Sequence, residues 1–460
     1  MTIQNDLPTL DDKLGWADEL DRLAQRIQSC PTPHVLGIHG DWGSGKTSFM
    51  RQLQWRLGGE MPEDGSVATA GKFKSFREQK QLRKEIAIIW FDAWRYQNEP
   101  APVVALLQEM RRQMAALPAV MEKMKKLGAV GFQTIYGQLE RLSSAAKWIG
   151  MEGILPSAEQ IQKSGERWEQ QHHADTLPSD SLRDHLQQAI KQLLPDIERA
   201  RVVVFIDDLD RCNPKAAFRL LEGLKIYLSV PNCVFVLGMN ERIMVDAIQE
   251  EISAPEGTSQ EELQLRAAHY LEKICTDINR LPLPHNPLKL LGQWLPDKNQ
   301  AAILAAAVGD IACLPPNPRR VKALANQWAG FDRCLPSATG KEAEYRAASI
   351  LIAAYIHQFH RDLWERWHFN PEFWGEIKAW CHGERSGNPP AWSQALLLTG
   401  SLLDAGDSFT TPTWRPSFSN PGDIRNFWID ALIRAYSEHL AAKDFVPLLR
   451  CRQAGTGGKP

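Results

Sequence analysis

The chain has 460 residues, 43% of them hydrophobic and 23% charged, with a formal net charge of -2. Such a length and composition describe a packed globular chain of two or three domains, and the near-neutral charge excludes a global pull towards nucleic acid or membrane. The eight cysteines, from Cys30 to Cys451, include no CxxC pair, which speaks against a zinc ribbon or a disulfide framework and for a reducing cytoplasmic setting.

In chain order, the N-terminal "MTIQNDLPTLDDK" is acidic and has no apolar core, so no signal peptide is expected. Residues 16–30 place Leu20, Leu23 and Ile27 at helical spacing and predict an amphipathic helix. "HVLGIHG" (34–40) predicts a short strand, a Gly-rich turn follows, and 47–57 reads as a helix. Residues 58–81 are polar and read as a loop; "EIAIIWFDAW" (85–94) predicts a second strand. Helical patterns dominate 102–155, a polar linker follows, and 182–194 predicts another helix. Two further apolar strands, "VVVFID" (202–207) and "CVFVLGM" (233–239), enclose a helix beginning at Pro214. Strands alternating with helices imply parallel βαβ units. Beyond about Pro287 the pattern is helical, and the longest apolar runs, such as 347–356, are too short to span a membrane.

"GDWGSGKT" fits G-x-x-x-x-G-K-[ST]. Glycines let backbone N–H groups curl around a polyphosphate, and the following helix points its positive end at the anion. The expected contacts run through Gly40, Asp41, Trp42, Gly43, Ser44, Gly45, Lys46, Thr47 and Ser48. Lys46 would reach the β/γ-phosphates and the Thr47 hydroxyl would ligate Mg²⁺. A hydrophobic strand ending in Asp supplies the second metal ligand, here Asp207, and Asp208 beside it can orient or deprotonate the attacking water. Asp210 and Arg211 read as an ion pair bracing the strand end, with Arg211 alternatively approaching a phosphate.

At these residues the chain resembles the KAP family of P-loop NTPases, near the STAND and AAA+ ATPases. The matching pieces run in order: "DKLGWADELDRLAQRI", "GDWGSGKT", "WFDAWRY", "FIDDLDRC", "VFVLGMNERI", "YLEKI" with "LPLP", and "NPRRVKALAN", together covering about the first 330 residues. The resemblance implies an ATPase with a long insertion before the acidic strand, and Asp207 indeed stands 160 positions after Thr47. Many relatives carry transmembrane helices in that insertion; a soluble helical elaboration is expected here. Asn240, where relatives often have Asp, is expected to touch the γ-phosphate or the water as a sensor. Arg319 and Arg320 resemble lid arginines that read nucleotide state, with an exposed basic helix start as the plain alternative. "NERI" lacks the Asp of a guanine-reading N-K-x-D, so ATP is favoured over GTP.

Other candidates carry less. His357, His360 and His368 lack HExxH spacing. Cys212 reads as a small buried residue, and Trp90, Trp94 and Tyr96 read as packing rather than base-stacking groups. The basic runs Lys72–Lys84 and Met121–Lys126 read as solvated faces. The late tryptophans read mainly as core, with a partner surface as the sharper alternative.

The expectation is an α/β P-loop NTPase core with a mostly parallel sheet over residues 1–287, with a helical insertion at 97–181. A helical lid over 288–335 and a Trp-rich helical domain over 336–460 complete it. The expected activity is Mg²⁺-dependent ATP hydrolysis driving a conformational or assembly switch, with phage exclusion or defence as the role the family resemblance suggests. Rival readings are a nucleic-acid-stimulated motor and an ATP-binding scaffold with little hydrolysis. The expected partner is a second copy of the chain, or another protein held by the C-terminal region. Action of Arg211, Arg242, Arg319 or Arg320 across subunits stays open.

Overall fold

The computed structural model describes residues 6–59, 85–99, 102–116, 200–227, 230–382 and 428–451, except 253, 254, 256, 283, 285 and 296, plus a few isolated positions elsewhere. Most of the expected 97–181 insertion, both basic runs, Trp392 and Trp414 lie outside the described residues. The chain forms two compact units: residues 7–40 with 45–281, and residues 1–6 and 41–44 with 282–460.

The first unit is an α/β layer structure. Its elements are α1 (Ala17–Ser29), β1 (His34–His39), α2 (Lys46–Arg56), β2 (Ile86–Asp92), α3 (Pro102–Ala116) and β3 (Arg201–Asp207). They continue with α4 (Pro214–Tyr227), β4 (Cys233–Met239), α5 (Glu241–Glu251), α6 (Gln260–Ile274) and β5 (Asp277–Arg280). The five strands form one parallel sheet in the order β2-β3-β4-β1-β5. β3 and β4 are buried throughout apart from Arg201, as parallel strands covered on both faces must be. Side chains alternate across the sheet: Val202, Val204 and Ile206 join α3 to α6 in one core, while Val203 and Phe205 join α1 and α2 in the other. Burying each such side chain contributes about 1.5–3 kcal/mol.

β5 is a strand that the sequence pattern did not single out, although it lies before the all-helical region expected beyond about Pro287. "DINR" is polar because β5 is an edge strand, paired to β1 alone and nowhere fully buried. Parallel register aligns the carboxyl ends, pairing Asp92 with Asp207. β1 and β3 flank β4, so the loop after β1 and the acids after β3 open at the same edge of the sheet, where α/β folds bind ligands.

In the second unit every described element from α7 onward is helical. These are α7 (Pro287–Trp294), α8 (Lys298–Val308), α9 (Pro318–Phe331), α10 (Lys341–Phe359), α11 (Arg361–Phe369), α12 (Phe373–His382), α13 (Asp430–Tyr436) and α14 (Ala442–Leu449). α10 is buried on nearly every side from Ala347 to Ile356; it is the central helix of this unit, not a membrane span. No helix among the described residues is long and apolar enough to cross a membrane.

The late tryptophans make this core. Trp367 and Trp374 stack with centroids 5.5 Å apart, and Phe445 lies 4.7 and 4.4 Å from them. Trp374 Nε1 donates to Leu440 O at 2.9 Å, which satisfies the one polar atom of a fully buried ring. Trp374→Ala is expected to cost about 3–5 kcal/mol, read as a lower denaturation midpoint; a loss under about 1 kcal/mol would contradict the packing.

His357 and His360 pack at the edge of this core, whereas His368 is exposed. His357 sits edge-on to Phe331 and Trp364. Burial pushes His360 down to about 3, and His368 Nδ1 lies 2.7 Å from Leu449 O. No cluster of three or more metal-ligating side chains occurs among the described residues. One cysteine pair departs from the thiol-only expectation: Cys334 and Cys451, 117 residues apart with Cα atoms 6.0 Å apart, are joined in a disulfide. α10 packs against both α9 and α14, and so brings the segments after those helices together.

Candidate functional site

The loop after β1 is built around glycine geometry. Gly45 sits immediately before α2 with φ 98°, a left-handed conformation that a Cβ disfavours. A Cβ there would also lie 2.7 Å from the Trp16 ring, which is fixed edge-on to Phe49 at 5.3 Å. The lead-in to α1 is therefore one wall of the loop. Lys46 opens α2 and its Nζ donates to Gly40 O at 2.7 Å. The Ser48 hydroxyl accepts from Thr9 N at 3.1 Å, tying the segment before α1 to the first turn of α2.

At the end of β3, Asp207 is 4% exposed and accepts a hydrogen bond from the Thr47 hydroxyl. Its Oδ1 is buried with no hydrogen-bond partner. Desolvation pushes this carboxyl upward, opposed by Thr47, the Asp208 backbone and the charges of Lys46 and Arg51. Gly238 of β4 allows close packing against the carboxylate: a Cβ there would lie 2.9 Å from Asp207 Oδ1 and 2.5 Å from Met50 Sδ. A buried carboxyl oxygen and an adjacent hydroxyl are the hard oxygen donors that a divalent cation takes, so these residues fit Mg²⁺.

Asp208 adopts φ 55°, a left-handed conformation uncommon outside glycine and most tolerable for Asp and Asn. Burial first, and then the charge of Asp207, push its carboxyl up to about 7; Arg211 opposes the rise, while Asp92 and Asp210 add to it. The ion pairing differs from the expected Asp210–Arg211 brace. Arg211 Nε turns back to Asp208 Oδ1 at 2.9 Å, while Asp210 Oδ2 meets Lys46 Nζ at 3.0 Å. The cause is the 3₁₀ turn Leu209–Arg211, which sends consecutive side chains in different directions. Cys212 is a protonated thiol, pushed up to about 12 by burial and then by the neighbouring acids, and so is poorly suited to redox chemistry.

Sequence reasoning passed over Asp92. It ends β2 in register with Asp207, and its Oδ1 is also buried without a partner. The signal was available, because "IAIIWFD" repeats the pattern of "VVVFID": an apolar strand closed by one carboxylate.

A sequence model of the KAP family P-loop domain matches residues 17–291, more than half of the chain. The chain belongs to the KAP family of P-loop NTPases. Among solved structures it is similar to the Aeropyrum pernix ORC2 protein, determined as ADPNP–ADP complexes, at 11% identity over 97% of this chain and 95% of that one. The TM-score is 0.36, too low to define a common fold. No curated protein matches the chain.

Within this KAP domain Asn240 follows β4 and is 1% exposed. Its Oδ1 accepts from Arg242 N at 3.0 Å and Ile243 N at 3.4 Å, so the oxygen caps α5. Two of the "WFDAWRY" aromatics are packing groups: Trp90 stacks on Phe205 beneath the Arg51 guanidinium, and Tyr96 stacks on Phe91. Trp94 is 47% exposed, with Arg211 5.8 Å above its ring.

The loop tip, Asp41–Ser44, groups with the helical unit. Ser44 N donates to Asp41 O at 3.0 Å, closing a tight turn. Asn317 caps α9 through Arg320 N and donates its amide to Trp42 O at 2.9 Å. Arg319 N donates to Gly43 O at 3.3 Å, and its guanidinium pairs with Asp6 at 2.7 Å and lies 5.2 Å from the Trp42 ring. A Cβ on Gly43 would lie 2.8 Å from Arg319 Cβ. Arg320 instead turns inward over Phe359, and burial lowers its pKa. The two arginines therefore have different surroundings: Arg319 is against the loop tip, and Arg320 is in the aromatic core.

Proposed function

We propose that the chain is a Mg²⁺-dependent ATPase whose cycle drives a conformational or assembly switch, with phage defence as the role its family suggests. The observation that carries the chemistry is the buried Asp207 carboxylate, bonded by Thr47 and lying beside Lys46. Backbone N–H groups of Gly40–Thr47 and the Lys46 ammonium bind the phosphates. Thr47 and Asp207 would hold Mg²⁺, which when bound neutralises charge on the β- and γ-phosphates. Asp208 orients the attacking water and accepts its proton as the new bond to the γ-phosphorus forms and the bond to the β-phosphate oxygen breaks. Asn240 supports the same edge of the sheet. Arg319 reads the loop tip through Trp42 and Gly43, which it already touches.

The ATP preference rests on the absent guanine-reading motif after β4. The test is ATP binding by Lys46→Ala, measured calorimetrically. Loss of binding with the fold retained is expected; affinity equal to wild type would remove the basis of the proposal. A purified wild type that binds ATP without turning it over would favour the scaffold reading instead.

A further inference from the structure

The start of α9 holds the tip of the phosphate loop by its carbonyl oxygens. Asn317 Nδ2 donates to Trp42 O at 2.9 Å, and Arg319 N donates to Gly43 O at 3.3 Å. Two consecutive loop carbonyls are therefore turned towards α9, and all four residues belong to the same compact unit. Gly43 permits the approach: its φ is 82°, and a Cβ there would lie 2.8 Å from Arg319 Cβ and 2.9 Å from Asn317 Oδ1.

A held carbonyl fixes the N–H that shares its peptide plane. In a trans peptide the C=O and the N–H point in opposite directions, and the one cis bond among the described residues is Thr32–Pro33. With Trp42 O drawn to α9, the Gly43 N–H faces away from that helix. The contact to Gly43 O orients the Ser44 N–H likewise, and this donor closes the turn onto Asp41 O at 3.0 Å. The Gly43 N–H is thus the donor at the tip whose direction Asn317 sets.

Asn317 uses both ends of its amide. Oδ1 accepts from Arg320 N at 3.2 Å and caps α9, while Nδ2 holds the loop. The contact to Trp42 O is exposed, so water can replace Nδ2 there and the bridge adds little to stability. Its effect is on the freedom of the peptide to rotate, an ordering cost that an arriving phosphate would otherwise have to meet.

Resting on the phosphate-binding role proposed for the loop, we infer that Asn317 is a positioning residue for nucleotide binding. It orients the Trp42–Gly43 peptide so that the Gly43 N–H is already presented when the phosphates arrive. It acts through the loop backbone and touches no phosphate itself.

The experiment is titration calorimetry of the full chain with Mg²⁺ and a non-hydrolysable ATP analogue, on wild type, Asn317→Ser and Asn317→Ala. Denaturation midpoints without nucleotide are measured on the same three proteins. Serine caps a helix about as well as asparagine, but its single short polar arm cannot cap α9 and reach Trp42 O at once; alanine does neither. Asn317→Ser is expected to weaken the analogue about fivefold, the scale of one hydrogen bond, and to leave the midpoint where it was. Asn317→Ala is expected to weaken it by the same factor and to lower the midpoint as well, through the lost cap.

An analogue affinity within about twofold of wild type in Asn317→Ser overturns the inference. If Asn317→Ala alone loses affinity, the cap and not the bridge is responsible; if the variants lose only stability, the residue is structural. In each of these cases the wild type still binds and the phosphate-loop reading stands. A wild type that binds no analogue removes that underlying reading, and the role of Asn317 with it.

Discussion

Asp208→Asn is expected to bind ATP as wild type does and to hydrolyse it about 10²–10⁴-fold more slowly, the usual contribution of a positioned general base. The substitution is clean for a backbone reason. Asp208 holds φ 55°, and Asn is among the few side chains that adopt this conformation readily. The turn carrying Asp210 and Arg211 should survive, and Arg211 keeps a carbonyl oxygen in place of the one it holds at 2.9 Å. Alanine would confound lost chemistry with backbone strain.

The same residue predicts a pH dependence. Its carboxyl is pushed up to about 7, first by burial and then by Asp207, and only the ionised form accepts a proton. Below about pH 7, kcat/KM should fall towards a tenfold loss per unit, and Asp208→Asn should abolish that limb. Stability moves the other way. The folded state holds this proton above the ordinary carboxylate value of 3.8, so the group's contribution to stability declines as pH rises from about 4 to about 7. Turnover and ATP affinity measured from pH 5.5 to 8.5, and denaturation midpoints measured from pH 4 to 8, on both proteins check these expectations. A variant that hydrolyses ATP at the wild-type rate would exclude Asp208 as the base.

The parts of the molecule legible in the sequence are those governed by short-range rules. β1 to β4 are runs of β-branched and aromatic residues closed by Gly, Asp or Asn, and the structure places them within a residue or two of where the pattern does. A central strand in a covered parallel sheet has no polar face, so its hydrophobicity is unbroken. β5 is hidden for the opposite reason: an edge strand with half-exposed residues has no apolar run to read.

Side-chain pairing is the less legible part. Asp210 and Arg211 are neighbours in sequence and read as a pair. A 3₁₀ turn gives each a different partner, because direction depends on backbone angles that residue type does not specify. Lys46 and Asp210 are brought together only by the parallel order that sets β1 and β3 on either side of β4. The contact of Asn317 and Arg319 with Trp42 and Gly43 bridges about 275 residues of sequence and leaves no local pattern. Asp92 could have been found by treating every apolar strand that ends in a carboxylate alike.

Gly45→Ala tests how far the lead-in wall controls the loop. Two separate penalties apply. Alanine at φ 98° costs roughly 1–2 kcal/mol in backbone strain, and the new methyl would lie 2.7 Å from the Trp16 ring. That ring is 2% exposed and braced by Phe49, so it has little room to retreat. The loop must yield, and the N–H groups it presents move with it. A combined cost of about 2–3 kcal/mol corresponds to a roughly 30- to 150-fold loss of ATP affinity. Trp16→Leu separates the two penalties, since it removes the ring while keeping an apolar side chain under α1. In that background Gly45→Ala should retain only the backbone penalty, about 1–2 kcal/mol, and the difference between the two costs is the coupling energy. Calorimetric affinities of the wild type, the two single variants and the double variant close the cycle. A coupling energy of zero would mean that Trp16 does not shape the loop, leaving glycine at position 45 required by backbone conformation alone.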